Sequence, residues 1–299
     1  MDATIPSPGR AWPAPGALLQ LLKPVTWFPP VWAYSCGVVS SGAAWGADPA
    51  AVALGLALAG PIVCGMSQAA NDWCDRHVDA INEPDRPIPS GRVPGRWGLW
   101  VALAMTALAL VLALRLGPWG WGATALACAA AWAYSAEPVR AKRSGLWGPG
   151  LVGLSYETLP WITGAVVLSA GTPDPRIVAV ALAYGIGAHG IMTFNDFKAV
   201  EGDRATGIRS LPATLGPRRA ARIACTVMLM PQGAVIAMLA LWDQPIHAAL
   251  IGLLVLAQLA AMRRVLRDPL RLAPWFNATG VALSVSGMMV AAFALRGLA

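Results

Sequence analysis

Three features of the 299-residue chain point to an all-α integral membrane protein with nine transmembrane helices in one bundle: its composition, its apolar stretches and its charge asymmetry. The chain is 57% hydrophobic and 12% charged, against a charged share of about 25% in soluble domains. A spanning helix needs about 20 mostly apolar residues. Nine such stretches occur, over residues 27–46, 50–71, 97–114, 118–136, 147–169, 176–196, 219–241, 245–262 and 274–295.

Cytoplasmic loops of membrane proteins collect Lys and Arg. Of the 22 basic residues, 19 fall in the N-terminal segment or in the loops after stretches two, four, six and eight; only Arg115, Arg176 and Arg296 fall on the other side. An odd number of helices and a cytoplasmic N-terminus follow. Residues 1–26 then form a Pro-rich cytoplasmic segment, and residues 27–299 a single polytopic domain. The first 23 residues lack a long apolar run behind a basic start, so no cleaved signal peptide is expected. The net charge of +7 is assigned to this topology, and no nucleic-acid partner is expected. The five cysteines show neither CxxC nor metal-ligand spacing and are read as reduced and structural.

The acidic residues are clustered. Asp72, Asp75, Asp79, Glu83 and Asp85 follow stretch two, and Asp196, Glu201 and Asp203 follow stretch six. These are the ends of apolar helices, where uncompensated anions are costly. The segments Asn71-Asp72-Trp73-Cys74-Asp75-Arg76-His77-Val78-Asp79 and Asn195-Asp196-Phe197-Lys198-Ala199-Val200-Glu201-Gly202-Asp203 share the pattern Asn-Asp-x6-Asp, 124 residues apart. Each follows the second helix of a four-helix run and precedes an Arg, a Ser and a Pro. The bundle therefore reads as two related four-helix halves plus a ninth helix.

If the second helix continues through the first motif, Asn71, Asp75 and Asp79 fall within an arc of about 80°. Such a stripe of oxygens suits Mg²⁺, which takes one or two carboxylates, keeps water and bridges to substrate phosphates. In the second motif, Asp196 and Asp203 are also in phase but stand about 10.5 Å apart along a regular helix. Either that helix unwinds or each carboxylate serves a different ion. Ala199 occupies the position of Asp75, so the second site is weaker or relies on Glu201. Basic residues follow each cluster: Arg86 and Arg92, Arg204 and Arg209, and the run Arg140, Lys142 and Arg143. Facing one cavity with two Mg²⁺ ions, these would suit a diphosphate. The Arg140–Arg143 run alone is equally explained by topology. Arg86 lies in a segment stiffened by Pro84, Pro87 and Pro89.

Glu157 lies in the middle of the fifth stretch, where an ionisable residue is a functional candidate. It is read as a hydrogen-bond partner for a substrate carbonyl or as a buried carboxyl paired with another helix. His189 stands seven residues before Asp196, on about the same face, as a ligand-binding residue or a satisfied core histidine. Gly55, Gly60, Gly65, Gly185, Gly187 and Gly190 are read as points of close helix approach, and Pro231 as a kink.

These motifs resemble those of the UbiA-type intramembrane prenyltransferases, and the resemblance extends over nearly the whole chain. Residues 22–30, 71–91, 134–142 and 195–212 look like the chlorophyll and bacteriochlorophyll synthase branch. The resemblance implies first-site metal ligands at Asn71, Asp75 and Asp79, second-site ligands at Asp196 and Asp203, and diphosphate contacts at Arg86, Lys142 and Arg209. Tyr134, Arg140, Arg204, Glu157 and His189 are the candidate substrate-binding residues, and Glu201 the supplementary metal ligand. It also implies Mg²⁺-dependent esterification of the propionate of bacteriochlorophyllide, or of chlorophyllide, by geranylgeranyl or phytyl diphosphate. That chemistry belongs at the cytoplasmic face of a bacterial inner or intracytoplasmic photosynthetic membrane, beside other membrane proteins of the pigment pathway. A sister enzyme with a quinone-precursor, haem or glycerophosphate acceptor shares the Asp motifs. A transporter is the reading from another class, but transporters tend to hold ions at mid-membrane on broken helices.

Overall fold

The computed structural model describes residues 12–169 and 171–298, leaving out the side chain of Asn82. The first part of the Pro-rich segment expected over residues 1–26 lies outside the described residues. Among those described, the regular structure is helical, apart from one isolated bridge between Ser144 and Arg209.

The helices run in the order α1 (Pro15–Leu22), α2 (Phe28–Ser40), α3 (Pro49–Ala57), α4 (Gly65–Asn82), α5 (Trp97–Ala113), α6 (Gly117–Ser135) and α7 (Trp147–Gly153). They continue with α8 (Leu159–Ser169), α9 (Pro175–Asn195), α10 (Val200–Thr206), α11 (Leu211–Leu215), α12 (Pro217–Leu241), α13 (Pro245–Val265) and α14 (Pro269–Arg296). Helix starts are written in the sequence as a proline in the first turn, where no N–H is needed. At Pro49, Pro175 and Pro269 the preceding aspartate caps the helix: Asp48 accepts from the Ala51 N–H, Asp174 from Arg176 and Asp268 from Arg271.

Among the described residues, seven helical segments are long and apolar enough to cross a membrane: Pro49–Ile81, Trp97–Ser135, Trp147–Ser169, Pro175–Thr206, Pro217–Leu241, Pro245–Val265 and Pro269–Arg296. The Trp97–Ser135 segment turns at Gly117, where φ is +73°, and α5 and α6 pack against each other and against α4. The first predicted stretch, 27–46, is shorter in the structure: α2 ends at Ser40, and glycines at positive φ (Gly42 and Gly46) turn the chain beyond it. In the other direction, α4 runs on to Asn82 and carries the whole first motif as helix.

Two widened turns join successive helices. Leu58–Cys64 links α3 to α4 around Pro61, and Leu154–Thr158 links α7 to α8 just before Pro160. A proline inside a helix has no N–H for the carbonyl four residues back and clashes with it, so the chain widens by one residue per turn. Pro231, by contrast, is accommodated within the continuous α12.

Small residues let neighbouring helices approach closely. A Cβ on Gly37 would lie 2.0 Å from the Trp161 carbonyl oxygen, and one on Gly164 would lie 2.2 Å from that of Tyr34. Helices α2 and α8 therefore touch backbone to backbone. Of the six glycines predicted to allow close approach, Gly55, Gly60, Gly185 and Gly190 do so; Gly65 meets neighbours at ordinary contact distance, and Gly187 has only one atom within 4 Å. In the second half Gln232 donates to Gln258 Oε1 at 2.8 Å, and Gln258 donates to the Gly280 carbonyl at 3.1 Å, tying α12, α13 and α14 together. All five cysteines are free, and four of them are buried.

Replacing Gly164 by Leu forces α2 and α8 apart and should destabilise the fold by about 1–3 kcal/mol or more, the cost of overpacking. Gly252, with no atom within 4 Å of a built Cβ, should accept Ala without loss. Thermal melting of the two variants in detergent checks the contrast.

Candidate active site

The first motif lies on the last turns of α4, which presents its residues to different neighbours. Asn71 lines a cavity of about 440 Å³. Asp75 faces the loop after α6, where Arg140 donates to Oδ1 at 2.9 Å and Lys142 pairs with Oδ2. Asp79 accepts from Arg86 at 2.9 Å, and Arg86 also pairs with Glu83. Asp72, one residue and hence about 100° off the Asn71 stripe, points elsewhere: it is 1% exposed and accepts from Lys23 at 2.7 Å and from Arg86 at 3.3 Å. It anchors the N-terminal segment to the motif.

The cations respond to these anions. Burial works to lower the Arg86 guanidinium, but Asp72, Asp79 and Glu83 outweigh it, and its pKa is raised above the ordinary arginine value. Burial pushes the Lys142 ammonium below the ordinary lysine value, with Asp75 opposing the shift.

In the second motif the helix does unwind. Helix α9 ends at Asn195, Asp196–Ala199 form a tighter 3₁₀ turn, and α10 restarts at Val200. Asp203 is buried and accepts from Ser210 Oγ at 2.5 Å. Glu201 stands on the exposed side of α10, away from the cavity wall. Arg204 is exposed and donates to the Ala213 carbonyl at 3.2 Å. Arg209 is exposed as a side chain, and its backbone does the local work: its N–H bonds the Arg143 carbonyl and its carbonyl accepts from Gly145, both at 2.9 Å. This two-bond zipper brings the Arg140–Arg143 loop against the tail of the second motif. A Cβ on Gly145 would lie 2.8 Å from the Arg209 oxygen, so the approach requires glycine.

Each motif contributes its leading asparagine to one cavity, which Asn71 and Asn195 line together with Tyr134 and Gln68. Its deeper walls are apolar, from Pro29, Pro30, Val63, Ala127, Leu151 and Ile191. Both widened turns contribute to it, Val63 and Cys64 from one, Ser155, Tyr156 and Glu157 from the other. Among these the Tyr156 hydroxyl meets Gln68 Nε2 at 3.0 Å, Ser67 Oγ at 3.2 Å and Cys64 Sγ at 3.3 Å. Glu157 is 6% exposed, and its Oε2 is buried with no hydrogen-bond partner. His189 is not on the cavity wall, where α9 contributes Ala188, Ile191, Met192 and Asn195 instead; both its ring nitrogens are buried without a hydrogen-bond partner.

Among the described residues, no three His, Cys, Asp or Glu side chains gather closely enough to hold a metal unaided. The donors present are amide and carboxylate oxygens, and those of Asp75 and Asp79 are already matched by cations. That donor set fits Mg²⁺ completed by water and substrate phosphates, and does not fit a closed protein cage. Sequence reasoning missed Asp72, Lys23 and Ser210. Lys23 carried a signal, as one of only three lysines, set directly before Pro24 at the entrance to the first helix.

The profile of the UbiA prenyltransferase family matches residues 28–292. The chain is 65% identical to the bacteriochlorophyll synthase 33 kDa chain of Cereibacter sphaeroides, over 97% of this chain and 96% of that one. It is 62% identical to the protein of the same name from Rhodobacter capsulatus, over 99% of each. Among solved structures, a UbiA homolog from Archaeoglobus fulgidus bound to DMAPP and Mg²⁺ superposes with a TM-score of 0.74 at 21% identity, covering 95% of this chain and 100% of that one.

Lys23→Met leaves the buried Asp72 with one cation fewer and should cost about 1–3 kcal/mol of stability. Arg143→Met removes a pair with Glu137 in which both side chains are 55% exposed, and should change stability little. Denaturation of the two variants side by side measures the difference.

Proposed function

Given that the chain belongs to the UbiA prenyltransferase family, we propose that it esterifies the propionate carboxylate of bacteriochlorophyllide a with a geranylgeranyl or phytyl group taken from the corresponding diphosphate. The carrying observation is the shared cavity: the leading asparagines of both motifs line it beside apolar side chains, and in the first motif the carboxylates that follow on the same helix are paired with Arg86, Arg140 and Lys142. A prenyl diphosphate has the same division into a charged head and a greasy tail.

Arg86, Lys142 and Arg209 are assigned to the diphosphate, with Arg140 and Arg204 in support. Asn71, Asp75 and Asp79 would hold one Mg²⁺, and Asp196 and Asp203 a second, with Glu201 left out because it stands on the exposed side of α10. When bound, Mg²⁺ supplies positive charge that offsets the charge of the diphosphate. In the reaction the allylic C–O bond to the diphosphate breaks, the carboxylate oxygen forms the new bond to that carbon, and diphosphate leaves. The guanidinium and ammonium groups stabilise the charge growing on the leaving oxygen. The apolar wall and Tyr134 keep water away from the reacting carbon. A propionate, with an ordinary pKa of about 4–5 by analogy with side-chain carboxylates, is ionised at neutral pH, so no catalytic base is needed. Glu157, as a neutral acid, is assigned to donate a hydrogen bond to a carbonyl of the pigment, the use that best accounts for a buried carboxyl oxygen on the cavity wall without a partner. His189 receives no pigment contact in this reading.

The topology we infer has nine crossings: α2, the pair α5 and α6 counted separately, and the remaining six long segments, with the N-terminus and both motifs on the cytoplasmic side of a bacterial inner or intracytoplasmic membrane. The positive charge of the loops between paired helices supports that orientation.

Purified protein in detergent, given labelled geranylgeranyl diphosphate and Mg²⁺, should release diphosphate only when bacteriochlorophyllide is present. Preference for chlorophyllide or 4-hydroxybenzoate as acceptor would select the sister-enzyme reading, and solute movement without diphosphate release would select transport. Asp75→Ala and Asp79→Ala should each abolish turnover in a protein that still folds into membranes; substantial Mg²⁺-dependent activity in both would remove these residues from the site. Glu157→Leu should weaken pigment binding more than diphosphate binding, read from the two Michaelis constants.

A further inference from the structure

The asparagines that open the two motifs are alike in sequence and opposite in structure. Both line the cavity. Asn71 donates through Nδ2 to Ser135 Oγ at 3.4 Å, leaving its carbonyl oxygen for the cavity. Asn195 is held the other way round: its Oδ1 accepts from Asn277 Nδ2 at 2.8 Å, and its Nδ2 lies 3.6 Å from Met192 Sδ.

Chemistry fixes that orientation. A thioether sulfur accepts weakly and cannot donate, so the Asn195 atom facing Met192 must be the nitrogen; turned over, the amide would set two acceptors against each other. The turned form would also bring its nitrogen against the Asn277 nitrogen unless Asn277 turned as well. Asn277 lies on α14, the helix without a counterpart in the first half, and its own Oδ1 is buried with no partner. The last helix thus breaks the symmetry of the repeat at the one point where the two motifs meet the cavity.

We propose that Asn195 presents an amide N–H to an anionic oxygen of a ligand in the cavity, that Asn277 is the positioning residue setting this polarity, and that Asn71 presents a carbonyl oxygen instead. The proposal rests on the prenyl-transfer reading and deepens it. The anionic oxygen belongs either to the prenyl diphosphate or to the carboxylate of the acceptor. A metal ion, which needs an oxygen donor, is excluded as the partner of Asn195.

Asparagine-to-aspartate exchanges at the two positions should have opposite effects. In Asn195→Asp one oxygen still accepts from Asn277, while the other places an oxygen where the N–H stood. The Michaelis constant for geranylgeranyl diphosphate, or that for bacteriochlorophyllide, should rise about tenfold or more, the loss of a charge-assisted hydrogen bond, with the half-saturating Mg²⁺ concentration unchanged. A rise for the diphosphate, accompanied by loss of the thermal shift that inorganic pyrophosphate gives the wild-type protein, identifies the diphosphate as the source; a rise for the pigment alone identifies the carboxylate. Asn71→Asp should lower the half-saturating Mg²⁺ concentration, which Asn195→Asp leaves unchanged. Asn277→Leu should raise the same constant as Asn195→Asp, and the double variant Asn195→Ala/Asn277→Leu should be no worse than Asn195→Ala. The proposal is overturned if Asn195→Asp lowers the half-saturating Mg²⁺ concentration or leaves both Michaelis constants and the pyrophosphate shift unchanged. Additive losses in the double variant overturn the positioning role. Wild-type protein inactive with every acceptor would sink the prenyl-transfer reading alone, because the pyrophosphate shift still compares Asn195→Asp with wild type.

Discussion

Anionic charge placed at the end of an apolar helix is the constraint around which the rest of the molecule is arranged. Asp72, Asp75 and Asp79 sit on the last turns of α4, and each is answered by a cation from a different segment: Lys23 from before the first long helix, Arg86 from the loop after α4, Arg140 and Lys142 from the loop after α6. Leaving such a carboxylate buried and unpaired costs several kcal/mol. The N-terminal segment and two loops are thereby pinned to one place, and the zipper between Arg143, Gly145 and Arg209 brings the second motif to the same place. The site and the tertiary structure are two descriptions of this convergence.

Much of it was legible because it is local. Prolines and aspartates announce helix starts, and the apolar stretches from residue 97 onward match observed helix limits closely: 147–169, for example, is the span of α7, its widened turn and α8. The phase of Asn71, Asp75 and Asp79 was likewise readable, since α4 does continue through the motif. What escaped was long-range. Asp72 belongs to the same motif, but its role depends on Lys23, 49 residues away. Glu201 looked like a replacement for the acid missing at Ala199 because a continuous helix was the natural reference. The break at Asp196–Ala199 resets the phase and leaves Glu201 outside.

The pseudo-repeat is a second case of local likeness and long-range difference. Asn71 and Asn195 occupy equivalent places and make opposite bonds: Asn71 donates to Ser135, and Asn195 accepts from Asn277. Duplicated sequence fixes where a side chain stands on its own helix; the neighbouring helix decides which atom it offers. His189 shows the same limit, because its phase relative to Asp196 says nothing of which helix packs over that face.

The widened turns at Pro61 and Pro160 carry a consequence for how such a fold diversifies. Both stretches of cavity wall are widened turns beside a proline that lacks a backbone N–H, and the size of the lining side chains plays no part in that. Exchanging lining residues such as Val63 or Ser155 therefore repaints the interior while its frame stays put. New acceptors can be accommodated by altering the lining alone, and the grip on the charged head group is inherited unaltered.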